Sequence, residues 1–250
     1  MSSWCDKLSS TPAVGLRMSS HHFVGNSIIL DSLSPILDRH VDKERNQQAF
    51  AVELPNEFSV NVKTNVGFAY GVDPERVHVT FHHMMRPKAV SGHPPIMEML
   101  STPQPYTMLL EEVIERLIEA ALLVPNVESR SVRRIGLISV TAVDQEDLPP
   151  GIGKMISHFS SPWKRGLDAF TLQATAVLEK TSGRTDSCAH TMLKSDIKGE
   201  LLSIQFDYQR VFEDTRRLER KVLETEFRSL SADALDYFEK IAEGDMFDAS

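Results

Sequence analysis

The sequence predicts an α+β fold in which largely antiparallel sheet strands are covered on one face by amphipathic helices. Three observations predict it: alternating apolar segments in both halves of the chain, long segments with helical spacing of apolar residues, and an ordinary globular composition. Of the 250 residues, 41% are hydrophobic and 25% are charged. A chain of this size and composition buries a core without disulfides or metal ions.

Charge and cysteine content restrict the classes of function. A net charge of -8 argues against a surface that wraps nucleic acid broadly, because such a surface needs clustered Lys and Arg. The two cysteines, Cys5 and Cys188, are too few for a disulfide framework. The first residues lack the apolar run of a signal peptide, and no apolar run has the length of a membrane span. We therefore expect a cytoplasmic protein with no membrane partner.

The first half of the chain reads as a short tail, a helical segment and a strand meander. Residues 1–25 are polar, Ser-rich and aperiodic, which predicts a flexible tail. Residues 27–38 follow with a helical pattern interrupted near Pro35. Alternation of apolar residues then predicts a hairpin and two further strands. These strands are residues 50–54, 58–62, 66–70 and 76–84.

A proline-rich segment and an amphipathic helix close the first half. Prolines crowd residues 86–105, which predicts a long connecting loop. Residues 107–123 carry an apolar stripe with acids in the first turns, and Pro125 follows them, so we predict a helix that docks on a sheet. A soft boundary near residue 126 then divides a strand-rich half, 26–125, from a second half, 126–250.

The second half repeats this order of strands followed by helix. An apolar strand is predicted at residues 133–143 and a short helix at 154–160. The predicted meander covers residues 170–179, 188–193 and 201–212, and helical spacing covers 218–230 and 231–241. Two arrangements fit this pattern: two similar sheet-and-helix halves, or one continuous sheet. No residue-level self-similarity distinguishes them.

Histidines are the first candidates for a metal site, because neutral imidazole is the commonest protein ligand for metals. The candidates are His78, His82, His83 and His93. On a strand, His78 and His82 share a face but stand roughly 13 Å apart, and His83 faces the other way. This spacing favours solvated or structural histidines over a shared metal ion, and the same interpretation applies to His21 and His22. We predict no cofactor.

The acidic and nucleophilic candidates are also groups of residues that lie near one another in the sequence. Asp144, Glu146 and Asp147 form an acidic loop that is a candidate cation site, although adjacent acids on a loop usually only solvate it. Cys188 and His190 share a strand face without the hydrogen-bonded contact of a thiolate pair, which predicts a buried, inert cysteine.

The glycine-containing segment 149–154 lacks the first glycine of a P-loop and the Ser or Thr after its lysine, which excludes that type of nucleotide hydrolysis. Among basic residues, Arg130, Arg133 and Arg134 are the least balanced by acids, so a local contact with nucleic-acid phosphates is open there. The basic residues over 216–221 alternate with acids, as on a solvated helix face.

Three segments carry a resemblance to a known family: the Arg134-Ile-Gly-Leu137 strand after a long helix, the 201–208 strand with Asp207, and the closing Leu235-Asp-Tyr-Phe-Glu-Lys-Ile-Ala-Glu243. Together they resemble a sporadically distributed, functionally uncharacterised prokaryotic protein family. Its members follow the Arg-Ile-Gly-Leu strand with a Tyr-Ile-Asn-like segment, where this chain has Ile138-Ser-Val140. The resemblance covers mainly 107–243. It implies a prokaryotic cytosolic setting and brings no catalytic residues.

With no convergent catalytic set, the leading hypothesis is a non-enzymatic protein-binding or assembly component of a prokaryotic multi-protein system. Such a complex subunit is either defence-like, as in antiviral defence, or chaperone-like, and works through sheet edges and the segment 86–105. Its expected partner is another protein or a second copy. One alternative is a metal-dependent hydrolase or nuclease whose histidines and acids meet only in the fold. The other alternative is nucleic-acid binding at the three arginines.

Overall fold

The computed structural model describes residues 4–7, 11–19, 24–42, 47–90, 93–100, 103–162, 169–181, 183–194 and 201–244. Its α-helices are α1 (Trp4–Lys7), α2 (Asn26–Ser32), α3 (Ser34–Leu37), α4 (Tyr106–Leu122), α5 (Pro150–Ser160) and α6 (Arg220–Glu243). Short 3-10 helices cover Asp38–His40, Val127–Ser129 and Gln145–Asp147. The described residues show an α+β fold, as predicted.

The strands of the first half are β1 (Thr11–Met18), β2 (Val41–Asp42), β3 (Gln47–Gln48), β4 (Phe50–Asn56), β5 (Ser59–Thr64), β6 (Phe68–Val72), β7 (Arg76–Phe81), β8 (Met85–Val90) and β9 (His93–Met99). Those of the second half are β10 (Ser131–Asp144), β11 (Phe170–Thr181), β12 (Arg184–Lys194) and β13 (Leu201–Arg217). The chain divides into two compact units. Among the described residues, unit 1 takes those within 1–10, 136–214 and 225–250, and unit 2 takes those within 11–135 and 215–224.

In unit 2 the antiparallel strands have the order β1-β7-β6-β5-β4, and α4 packs on β1 and β7. Alternate residues of β1, β5 and β7 are buried; Val14 and Val79, for example, are directly opposite each other and at most 2% exposed. From the helix, Val113 and Leu117 are fully buried. The predicted hairpin, meander and docked helix are all confirmed here.

In unit 1 the strand order is β11-β12-β13-β10, and α6 packs on β12 and β13. The stacked rings of Phe206 and Phe238, 4.9 Å apart, are one contact between β13 and the helix. The apolar stripe of α6 is buried, and three of its residues have 0% exposure: Leu223, Phe227 and Leu230. Where two terminal helices were predicted, the structure has one.

The two units share part of their order of elements. In unit 2, β1 leads through α2 and α3 to strands β4 to β7, and α4 follows the β8–β9 hairpin. In unit 1, β10 leads through α5 to β11, β12 and β13, and then to α6. In each, the first of these strands lies beside the last: β1 beside β7, and β10 beside β13. Nine of the described strands belong to one sheet. The predicted boundary at residue 126 is displaced, because the units divide within β10 at residue 136 and residues 215–224 return to unit 2.

The prediction of a flexible tail over residues 1–25 is wrong for the part that the structure describes. Residues 11–18 form β1, with Leu16 only 2% and Met18 only 1% exposed. Its apolar alternation covers only Val14, Leu16 and Met18, with Gly15 and Arg17 on the open face, and so short a series did not stand out in the sequence. His21 and His22 lie outside the described residues.

The predicted loop over 86–105 is largely a hairpin, in which β8 and β9 pair antiparallel as a separate two-stranded sheet. Its prolines are tolerated because each strand of a two-stranded ribbon has one side with no ladder hydrogen bonds. Arg86 bonds Glu98 across the ribbon at 2.9 Å. The last proline of the segment, Pro105, is the N-cap of α4.

The C-terminal helix ends as the sequence predicted. Gly244 has φ +92°, a left-handed conformation that favours glycine, and its N–H donates to the Lys240 carbonyl. Ser231, predicted as a cap, lies inside the helix and donates to the Arg228 carbonyl. Among the described helices, none combines the length and the apolar content required to cross a membrane.

Truncation of Leu16 tests the reassignment of the N-terminal segment. Because Leu16 is 2% exposed in β1, Leu16→Ala is expected to lower the free energy of unfolding by about 2–5 kcal/mol. The control Arg17→Ala, on the exposed face of the same strand, is expected to cost less than about 1 kcal/mol. Urea unfolding measures both; equal, near-zero effects would show that this segment is not part of the core.

Candidate binding edge and buried polar network

Strand β11 is the edge of the strand order in unit 1. It pairs with β12 on one side, and among the described strands none pairs with its outer side. Most of its side chains are exposed, and Val177 reaches 70% exposure. An edge of this kind presents backbone N–H and C=O groups to any extended polypeptide.

The composition of this edge strand is unusual. Residues 170–178 include no charged residue, proline or glycine, and Thr, Val, Leu and Phe make up most of them. Charges begin at Glu179, which Arg184 bonds at 2.8 Å. A register irregularity also comes late in the strand, between Val177 and Glu179. Residues 170–177 therefore lack the charges, prolines and register irregularities with which proteins usually block edge pairing.

Strand β4, at the outer edge of the strand order in unit 2, has those protections. It contains Pro55 and a register irregularity between Glu53 and Asn56. Glu53 also holds Lys63 of the neighbouring strand at 2.7 Å. The two edge strands differ in accessibility to a partner, although Val52 and Leu54 are exposed on β4 as well.

Next to the edge strand, a fully buried ion pair joins β12 to β13. Asp186 and Arg210 are directly opposite in the register, and both are 0% exposed. Arg210 donates to the carboxylate from Nη2 at 2.7 Å and from Nε at 2.9 Å. The Tyr208 hydroxyl donates a third hydrogen bond to it at 3.1 Å. The carboxylate is thereby saturated with donors.

The same guanidinium holds α6 on these strands. Arg210 donates to Asp233 at 2.6 Å and to Ser229 at 3.1 Å. Burial by itself would lower the pKa of Arg210, but the hydrogen bonds to Asp186 and Asp233 outweigh it, and the pKa is raised. A permanent cation therefore links two strands and a helix.

A second buried polar contact lies further along the same strand face. His190 is 7% exposed, and its Nε2 lies 2.8 Å from the hydroxyl of Tyr237 on α6. The imidazole also meets the ring of Phe206 edge-on at 5.4 Å. Within the described part of the chain, its Nδ1 has no hydrogen-bond partner. Burial lowers the pKa of His190, which favours the neutral ring.

These groups are shielded from solvent. Cys188 is buried as predicted, with 0% exposure, and burial raises the pKa of its thiol to about 12. Burial, followed by the Asp186 carboxylate, also raises the pKa of Tyr208. A small, mostly apolar cavity under α6 is lined by Phe206 and Phe238 together with Trp4 and Cys5. The network is suited to positioning strands and a helix.

Sequence reasoning missed this network, although the strand pattern carries a signal for it. Apolar residues occupy the even positions of β13 from Leu202 to Phe206, and Phe212 continues them. Arg210 interrupts this series at a position that alternation assigns to the core. A charge at a core position requires a buried partner, and Asp186 is the acid at the matching position of β12.

The candidate metal ligands do not meet among the described residues, where no group of three His, Cys, Asp or Glu side chains is placed to hold a metal ion. The ring of His78 lies over Gly71, so close that an added Cβ there would come within 2.0 Å of it. His82 bonds Thr80 at 3.1 Å, and His83 packs edge-on against Phe81. His93 belongs to β9, and its side chain lies outside the described part.

The acidic candidates lie on the surface of unit 1. Asp144 ends β10, and Glu146 and Asp147 belong to the 3-10 helix that follows; all three are exposed. The glycine segment next to them begins α5 at Pro150, earlier than the predicted residue 154. Gly151 serves close packing, because a Cβ there would come within 2.0 Å of the Ile241 carbonyl oxygen.

The three arginines proposed for phosphate contact occupy different environments. Arg130 is 3% exposed and donates to two backbone carbonyls, those of Pro125 at 2.9 Å and of Pro74. Arg133 is exposed, and Arg134, half-buried, points to the other face of β10. They do not form one basic patch.

No protein-family model and no curated protein matches this chain. It has low similarity to the solved structure of the rolling circle replication initiator protein from Geobacillus stearothermophilus, with 9% identity, 90% of this chain and 78% of that chain covered, and a TM-score of 0.28. The similarity to the solved structure of the acyl-CoA thioesterase II TesB2 from Mycobacterium marinum covers 83% of this chain and 80% of that chain, with 12% identity and a TM-score of 0.19. TM-scores this low do not indicate a shared fold.

Removal of the buried cation tests the network. Arg210→Met leaves Asp186 buried and unpaired, so we expect the free energy of unfolding to fall by about 3–5 kcal/mol. Combining it with Asp186→Leu should recover much of that loss. Arg17→Met, which breaks an exposed ion pair with Glu75, is the matched control and should cost less than about 1 kcal/mol. Equal losses for both arginines in urea unfolding would contradict the assigned role.

Acid stability tests the environment of His190. Because its folded pKa lies below the ordinary 6.5, the unfolded chain binds more protons. The contribution of His190 is therefore complete above pH 6.5 and is lost as the pH falls from 6.5 towards the folded pKa. His190→Gln should flatten this part of the stability profile, whereas Tyr237→Phe, which leaves the ring buried, should keep it. An unchanged profile in His190→Gln would refute this account.

Proposed function

We propose that this protein is a non-enzymatic binding or assembly component that holds an extended polypeptide segment along β11. The observation that carries the proposal is the unprotected edge formed by residues 170–177. A strand added there satisfies the outward backbone groups of β11, and main-chain hydrogen bonds of this type provide affinity. The setting we propose is a cytoplasmic, prokaryotic complex of the defence-like or chaperone-like type.

Side chains beside the edge support this function. Phe170 and Leu172 are half-buried on the face that α6 partly covers, so an added strand could bury them further. On the open face, Val177 and Leu193 are 70% and 47% exposed. The Asp186–Arg210 pair fixes the neighbouring strands, so the edge is held in place before a partner arrives.

The β8–β9 hairpin supplies a second surface of the same kind. Met85 and Met99 are directly opposite in its register and are 48% and 41% exposed. Leu100, next to them, is 50% exposed. Exposed methionines adapt to different partner surfaces, and a two-stranded ribbon gains stability when a partner covers it.

Charges placed on the edge test the proposal. Gln173 and Thr175 are both exposed on β11, so Gln173→Lys with Thr175→Lys, and the corresponding pair of Glu substitutions, should leave the fold intact but disfavour strand addition. The tagged wild-type chain, purified from its source cells, is expected to retain a near-stoichiometric polypeptide, identified by mass spectrometry as another protein or an untagged copy. Both charged variants are expected to lose it.

The matched control places the same charges on the other edge, as Val52→Lys with Leu54→Lys on β4. This variant should retain the bound polypeptide. Circular dichroism verifies that all variants are folded. If the wild-type chain retained no polypeptide, or if the β11 and β4 variants lost it equally, the proposed function would be wrong.

A further inference from the structure

The uncharged stretch of β11 can pair antiparallel with a second copy of itself without placing like charges opposite each other. Residues 170–178 carry no charge, and Ala174 lies at their centre. The charges of the strand, Glu179 and Lys180, lie beyond one end only. When two copies of such a strand run antiparallel, these charges come to opposite ends of the pair, so like charges do not oppose each other.

The side chains also match when the strand is paired with itself about Ala174. Thr171 then lies opposite Val177, and Gln173 opposite Thr175. Cross-strand pairs of β-branched and polar uncharged residues stabilise an antiparallel ladder. The central part of the strand is regular, because its pairing with β12 runs without interruption from Thr171 to Val177. Over this length the edge is therefore a template without register shifts.

We infer that the polypeptide held at β11 is the β11 strand of a second copy of this chain, paired antiparallel about a two-fold axis at Ala174. The inference rests on the proposed function and specifies its partner. A second copy carries the same unprotected edge, so one contact covers both edges at once. The two-fold arrangement is also closed, since each chain uses its β11 edge in a single contact and no further copy can add there.

Charge exchange between the two copies tests this inference directly. In the two-fold pair, residue 173 of each chain faces residue 175 of the other. The double Lys variant at Gln173 and Thr175 therefore opposes two pairs of like charges, as does the double Glu variant. Each should raise the dimer dissociation constant at least about tenfold. An equimolar mixture of the two variants pairs Lys with Glu and should restore the dimer as a heterodimer.

Light scattering after size exclusion, with a dilution series, measures these constants. The wild-type chain and the β4 control, Val52→Lys with Leu54→Lys, should both have twice the chain mass of 28.1 kDa. A monomeric wild type would overturn the inference, as would charged β11 variants that dimerise normally. Failure of the Lys and Glu variants to form a heterodimer would exclude pairing about Ala174.

The outcomes separate this inference from the proposed function. A monomeric wild-type chain that still retains another protein, and loses it in the charged β11 variants, refutes self-pairing while the binding function stands. A monomeric chain that retains no polypeptide refutes both. A dimer that is sensitive to the β11 charges and is restored by mixing supports both.

Discussion

The buried pair of Asp186 and Arg210 is the interaction on which unit 1 depends. It lies on the core face of β12 and β13, where alternation otherwise places apolar side chains, and it extends through Asp233 to α6. A buried charge is costly when unpaired, so any arrangement that separated these elements would be strongly disfavoured. The pair therefore specifies one register of β12 against β13 and one position of α6 on these strands. The edge strand β11 is in turn positioned by its pairing with β12.

Periodicity predicted the elements whose apolar residues repeat without interruption, and it failed where another feature masked the repeat. Strands β5 to β7 and helix α4 were found this way. Strand β1 was missed because Gly15 and Arg17, on its open face, left only a short alternating series. The β8–β9 hairpin was missed because prolines are compatible with a strand only where their position needs no ladder hydrogen bond, a property of the pairing that no single segment contains.

The sequence predicted a sheet edge as the candidate surface, but it did not predict which strand forms that edge. The edge depends on the strand order, and the strand order is set by contacts between segments that are distant in the chain. Once β11 is known to be the edge, its uncharged composition becomes meaningful, and so do Pro55 and Glu53 of β4. For the buried network, the alternation of β13 marked Arg210 as a charge at a core position. Its partners on α6 could be identified only from the packing of the helix on the strand.

The shared order of elements has a consequence for how each unit forms. In both, the first strand pairs with the last strand of the meander, so β1 cannot find its place until β7 has been made, and β10 waits in the same way for β13. Such contacts join segments far apart in the chain, and the loop entropy of closing them slows folding. During synthesis, the apolar residues of β1 and β10 therefore stay without their strand partners until β7 and β13 have been made.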